Sequence, residues 1–146
     1  GFGKHYRALL QGIPASPEGD LADYLIKDGR ANVSHICSSN TPGAQKARLH
    51  YLIIETMPPY ALADIILETG RHHQIRVQMA NLGTPIAGDK KYGSTQALSP
   101  SDSASVPLTF RSLQLFACRL TFHHPRTDEL MDFRLDTPIN SLENSL

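Results

Sequence analysis

Hydrogen-bonding and cationic side chains crowd into one stretch of this chain, Glu68-Thr69-Gly70-Arg71-His72-His73-Gln74-Ile75-Arg76-Val77, and into the loop Gly83-Thr84-Pro85-Ile86-Ala87-Gly88-Asp89-Lys90-Lys91-Tyr92-Gly93 after it. A Gly turn at Gly70 followed by helical periodicity predicts a helix from Arg71 to Leu82. A helix start exposes free backbone N–H groups and the positive end of the dipole, so it favours an anion. Arg71 and His72 add side-chain donors there, which suits a phosphate or a carboxylate. Two lysines and an aromatic between glycines, Lys90, Lys91 and Tyr92, suit a nucleic-acid backbone and a stacked base. Ile75, Met79 and Leu82 recur at i, i+4, i+7 and form the expected buried stripe of that helix. Arg76 sits about 100° around from Ile75, at the edge of the core, where a guanidinium can reach into a cleft.

Other chemistries find little support. Adjacent histidines, His72-His73 and His123-His124, diverge on a helix or a strand and chelate poorly. There is no His-Glu-x-x-His and no Cys-x-x-Cys, so no metal site is expected. His124, before Pro125, reads instead as a strand-end residue whose imidazole satisfies local backbone. A Gly-x-Ser-x-Gly elbow, a P-loop and a dinucleotide fingerprint are all missing from the sequence, and the acids are scattered. Cys37 and Cys118 stand far apart and read as two buried, reduced thiols.

The bulk composition is that of one globular domain: 146 residues, 40% hydrophobic, 19% charged. Fourteen basic residues balance fourteen acidic ones, for a formal net charge of zero. That argues against a binder driven by total charge but leaves room for a local basic groove. No apolar run approaches the roughly 18 residues of a membrane span, and no leader pattern opens the chain. A soluble, cytoplasmic protein that does not enter a membrane is the expectation.

The elements that must position the polar stretch are mostly strands. Tyr6-Arg7-Ala8-Leu9-Leu10 alternates, with Tyr6, Ala8 and Leu10 on one face. Pro14 to Asp20 is turn chemistry. Leu21 to Ile26 is ambiguous between strand and helical turns, and Lys27 to Gly43 reads as irregular around a short strand at Val33 to Ile36. Ala47 to Glu55 and Tyr60 to Glu68 form an antiparallel hairpin turned at Pro58-Pro59. Gly83 closes the helix as a left-handed residue. Ser94 to Pro107 reads as a mobile surface loop, and Gln114 to His123 and Leu130 to Leu135 read as the last strands. About five strands and one main helix give an α+β class on a mixed, largely antiparallel sheet.

The motif residues themselves resemble a known family. Thr69-Gly70-Arg71, His73-Gln74-Ile75-Arg76-Val77, Gly83, Pro85-Ile86, Gly88-Asp89 and Tyr92-Gly93 resemble the C-terminal motif of RluA-type RNA pseudouridine synthases. Lys4-His5-Tyr6-Arg7-Ala8, Lys46-Ala47 with Tyr51, and Leu115 to Pro125 resemble further strands of that family. The resemblance implies uridine-to-pseudouridine isomerisation in structured RNA (rRNA or tRNA) without a cofactor, on a base flipped out of its stack. It implies that Tyr6 stacks on the target base, that Arg76 pairs with a catalytic aspartate, and that Leu115 lines the pocket. Arg71, His73, Gln74, Lys90, Lys91 and Tyr92 join Leu115 as the RNA- or substrate-binding set.

The same resemblance marks departures. The family's nucleophilic aspartate belongs to a Gly-Arg-Leu-Asp-type loop ahead of the tyrosine strand, and no such loop occurs in these 146 residues. Asp20, Asp23, Asp28, Asp64 and Asp89 stand in the wrong context to replace it. Gln78 and Phe116 occupy positions where the family usually has histidine. The expectation is therefore a partial synthase fold, with residues 1–136 as the C-terminal portion of a catalytic domain and 137–146 as a tail. Such a chain is expected to be inactive alone, with Arg76 aimed at an absent carboxylate. Self-association through an exposed sheet edge follows from the same reading. The alternative is a non-catalytic RNA-binding module of the same fold.

Overall fold

The fold is that of a computed structural model, in which residues 3–93 and 112–134 are described. The elements run β1 (Gly3–Gln11), β2 (Glu18–Asp28), β3 (Val33–Cys37), β4 (Gln45–Met57), β5 (Tyr60–Leu67), α1 (Gln74–Asn81), β6 (Leu115–His123) and β7 (Leu130–Arg134). They make a 7-stranded sheet in the order β3-β2-β4-β5-β1-β6-β7, with each neighbouring pair antiparallel. This is the α+β class expected, with more strands than the sequence reading finds. The expected loop from Ser94 to Pro107 and the 137–146 tail lie outside the described residues.

The central strands are the most apolar, and burial decides that order. Leu9, Leu10, Leu62 and Ile65 are each 0% exposed. At about 1.5–3 kcal/mol for each fully buried side chain, they hold β1 against β5. Tyr6, Ala8 and Leu10 share one face, as period-two alternation requires, and meet Ile65, Ala63 and Ala61 across the ladder. Ile75, Met79 and Ile86 complete that cluster from the helix side. Leu9 points to the other face and packs with Tyr60, Leu62, Ala87 and Phe116. The β4–β5 hairpin turns at Pro58-Pro59, whose peptide bond is cis.

Two elements depart from the sequence reading for identifiable reasons. The ambiguous Leu21–Ile26 segment is part of an eleven-residue strand, β2. Its alternation was hidden by Asp23, which occupies an inward position and accepts a 2.9 Å hydrogen bond from Gln78 Nε2. The helix begins at Gln74 rather than Arg71, because His73 takes a left-handed conformation (φ 54°). Leu82, expected in the buried stripe, lies past the helix end and is 38% exposed. Gly83 (φ 97°) does terminate the helix as expected: its N–H reaches Ala80 O and the Thr84 N–H reaches Met79 O, both at 3.0 Å.

The loop beyond Gly83 is stitched along β1. Gln11 N–H donates to Pro85 O (2.7 Å), Ala87 N–H donates to Leu9 O (2.8 Å), and Ile86 bridges Leu10. Between β1 and β6 the register slips at His5/Tyr6, which pair with Arg119 and Ala117 and leave Cys118 of β6 as the extra residue. His124 behaves as expected at a strand end, its Nδ1 accepting the Arg126 and Thr127 N–H groups. The two cysteines are unpaired and half-buried rather than buried. Among the described residues, no helix is long and apolar enough to cross a membrane.

Candidate active site

A cavity of about 190 Å³ opens between the start of α1 and strands β1, β5 and β6. Tyr6, Leu67, Arg71, His73, Gln74, Ile75, Arg76 and Leu115 line it. Most ligand pockets are larger, roughly 300–1,000 Å³, so this one is suited to a single ring. Six of the nine residues singled out in the sequence converge here from distant parts of the chain; Lys90, Lys91 and Tyr92 do not line the cavity. The convergence is a product of topology. β1 lies between β5 and β6, so Tyr6 and Leu115 face the same side, and the turn after β5 brings α1 over them.

Arg76 overturns the expectation of an absent partner. Its Nε donates to Asp89 Oδ2 at 2.9 Å and its Nη2 to Asp89 Oδ1 at 2.8 Å, a bidentate pair within the chain. The Asp89 side chain is 0% exposed and that of Arg76 18%. Asp89 Oδ1 also accepts the N–H groups of Lys91 and Tyr92, each at 3.0 Å. Burial alone would push the Asp89 carboxyl up, but these hydrogen bonds and the Arg76 charge outweigh it and hold it below the usual carboxylate range. Asp89 in turn holds the Arg76 guanidinium more firmly protonated.

The remaining predicted residues divide into those that face the cavity with free chemistry and those consumed by structure. Gln74 is buried, and its amide is spent internally. Oε1 accepts from Thr69 Oγ1 (2.8 Å) and Arg71 N–H (3.0 Å), and Nε2 donates to Arg48 O (3.0 Å). The Arg71 N–H, expected to be free at a helix start, is thus answered by Gln74, and the helix itself opens at Gln74 rather than at Gly70. Tyr92 is not an exposed stacking platform either. Its ring sits 5.1 Å from Arg76 Cζ and packs on Leu25, Ala47 and Val77. Its hydroxyl accepts the Ser34 N–H (2.8 Å) and lies 2.7 Å from His73 Nδ1.

Burial first, then the charges of His72, Arg76 and Lys91, lower the His73 pKa, which favours the neutral imidazole beside the Tyr92 hydroxyl. Arg71 Nε donates to Lys46 O at 2.9 Å. Lys91 Nζ reaches Asn32 O at 3.0 Å, while Lys90 is exposed. His72, joined to Ser34 and Asn32, lies in the same electropositive rim, where burial and the charges of Lys27, Lys91 and Arg76 lower its pKa. The sequence reading has Asp89 in the motif but not as the partner of Arg76, and it misses Ser34. Asp89 carried one signal, a Gly-Asp pair whose carboxylate caps the following two N–H groups; Ser34 carried none. Among the described residues no cluster of His, Cys, Asp or Glu could hold a metal ion.

Residues 1–81, which include Tyr6 and Arg76, match the RNA pseudouridylate synthase family. An uncharacterized RNA pseudouridine synthase, YlyB, of Bacillus subtilis is 31% identical over 96% of this chain and 42% of its own length. Ribosomal large subunit pseudouridine synthase D of Vibrio cholerae is 31% identical over 98% of this chain and 44% of its own. The solved structure of human RNA pseudouridylate synthase domain containing 1 superposes with a TM-score of 0.73 at 24% identity, covering 94% of this chain and 55% of that one. The chain spans about two fifths of the length of the curated relatives it matches. It belongs to the RNA pseudouridylate synthase family and is of the RluA type.

Proposed function

We propose that this chain carries the base-handling part of an RNA pseudouridine synthase site acting on uridine in rRNA or tRNA. The observation that carries the reading is the meeting of Tyr6, Arg76 and Leu115, from β1, α1 and β6, around one ring-sized cavity. A flipped uracil would stack on Tyr6 against the Leu115 wall, with the Arg76 guanidinium at the polar end. Arg71, Lys90 and Lys91 would meet the flanking phosphates. Isomerisation breaks the glycosidic bond, rotates the base and rejoins it through carbon, and that sequence needs a nucleophile.

Asp89 is the carboxylate bonded to the cavity residue Arg76, yet it is buried and also bonded to two backbone N–H groups. It is not free to attack. The 146-residue chain is therefore expected to bind uridine-containing RNA and not to turn it over. Tritium release from RNA labelled at uridine C5 tests this directly; any turnover overturns the inactivity. Binding should weaken with salt by about 0.7 in log K per log salt for each single-strand phosphate engaged. Tyr6→Ala should cost about tenfold or more in affinity, as lost base stacking does.

One observation favours a second reading, a non-catalytic RNA-binding module: Arg76 already has its carboxylate within the chain. RNA affinity indifferent to Tyr6→Ala would select that reading. Self-association belongs to the same proposal, through the outer strands β3 and β7, where Leu130 is 59% exposed. A monomer at high concentration in light scattering would reject it.

A further inference from the structure

The base-handling chemistry leaves a buried carboxylate, Asp89, without a task. A buried ion pair is a weak source of stability compared with apolar packing, so its geometry calls for another reason. A guanidinium has five N–H donors. Asp89 takes one from Nε and one from Nη2, at 2.9 and 2.8 Å, which leaves three, including a parallel pair across the two Nη atoms. The guanidinium plane is held a second time by the Tyr92 ring, 5.1 Å from Cζ. That ring is itself fixed by His73 and Ser34 at 2.7 and 2.8 Å. Arg76 also lines the cavity, so its remaining donors belong to a group with one fixed orientation and a charge already countered by its neighbour.

We infer that Asp89 is a positioning and selectivity residue. It orients the Arg76 donors for a neutral, hydrogen-bonding ring and cancels the charge that would otherwise draw a phosphate into the cavity. Arg71 already brings one charge to the cavity lining, and an uncountered Arg76 beside it would let an RNA phosphate compete with a base for the cavity. The Asp89–Arg76 pair keeps directed hydrogen bonding at Arg76 and lowers that unspecific attraction. This inference rests on the uridine-site reading for its ligand, but not for its electrostatics.

The experiment compares the wild-type chain with Asp89→Asn, which keeps an acceptor for the Lys91 and Tyr92 N–H groups. Inorganic phosphate and uridine are each titrated while the side-chain N–H signals of Arg76 and the methyls of Leu115 are followed by NMR. In the wild type the Arg76 Nε–H signal should be sharp and slow to exchange, uridine should shift Leu115, and phosphate should not. Asp89→Asn should gain about tenfold or more in phosphate affinity, as expected when one charge within a few ångströms is uncovered near a protein surface, and should lose the uridine response. Unchanged phosphate binding in the folded variant overturns the inference. If the variant does not fold, a freely exchanging Arg76 N–H in the wild type overturns it, and a restrained one supports it. A wild type whose Leu115 ignores uridine sinks the uridine-site reading while the phosphate comparison still decides the role of Asp89.

Discussion

Arg76 and Asp89 are bound to each other in a way that makes either alone a liability. Arg76→Ala leaves a carboxylate with no exposed side-chain surface and no countercharge. Removing one partner of such a pair typically costs about 3–5 kcal/mol, and a urea midpoint shift at constant slope would measure it. A second charged group acts through pH. The two ring nitrogens of His50 lie 2.8 Å from Asp20 Oδ1 and 2.8 Å from Glu18 Oε1, both acceptors, so the protonated imidazole that donates to both is favoured and its pKa is raised. A group whose folded pKa exceeds its unfolded value stabilises the fold fully below the unfolded value, about 6.5, and loses that contribution as pH rises through the folded one. The contribution of His50 to thermal stability should therefore be lost as pH rises above about 6.5, and His50→Gln should remove that loss. The effect is modest because Glu18 and Asp20 are more than half exposed. At this scale the sequence disclosed directions better than partners. Arg76 could be placed at the rim of the core from helical angle alone. Its bond to Asp89 could not, because it closes across a loop whose path is set by hydrogen bonds to β1.

The loop from Gly83 to Gly93 shows how an element can be legible in type and hidden in purpose. Gly83 and Gly88 both take positive φ, 97° and 80°. An added Cβ at Gly83 would meet nothing, whereas at Gly88 it would collide with the Ser112 backbone carbonyl. Gly83→Ala should cost only the left-handed penalty, about 1–2 kcal/mol. Gly88→Ala should add overpacking of about 1–3 kcal/mol and displace Asp89 with the loop; thermal melts of the two variants would rank them. The helix and β2 were harder to read, for a shared reason. Both carry polar residues at inward positions, Gln74 and Gln78 on α1 and Asp23 on β2, each hydrogen-bonded to a partner far along the chain. Periodicity reports polarity, and it cannot report that a polar group has been answered. Gln78 Oε1 is buried without a hydrogen-bond partner among the described residues, so the substitution Gln78→Met, which removes that orphan, should cost little beyond the lost Asp23 and Ala47 contacts.

Across the whole molecule, stability is graded from the centre of the sheet outward. β1, β4 and β5 hold the residues with least exposure, while the outer strands β3 and β7 are five residues each. Amide hydrogen exchange should be slowest in β1 and β5 and fastest in β3 and β7; uniform protection would contradict that gradient. The antiparallel α+β class was legible because hairpin turns and alternating strands are local signals. The strand order was not, since nothing local says that the first strand ends up between the fifth and the sixth. That position has a consequence for how the chain is made. Arg7 meets Asp64, 57 positions later, and Gly3 pairs with Thr121. Strands β2 to β5 can pair among themselves as they emerge, β3 and β4 on either side of β2 and β5 on β4. β1, synthesised before all of them, has no neighbour to pair with until β5 appears and is flanked on both sides only after β6 does. At roughly 5–20 residues per second the wait lasts several seconds. During that time the segment that carries Tyr6 is an unpaired strand, the kind of exposed edge that makes a folding intermediate prone to aggregate.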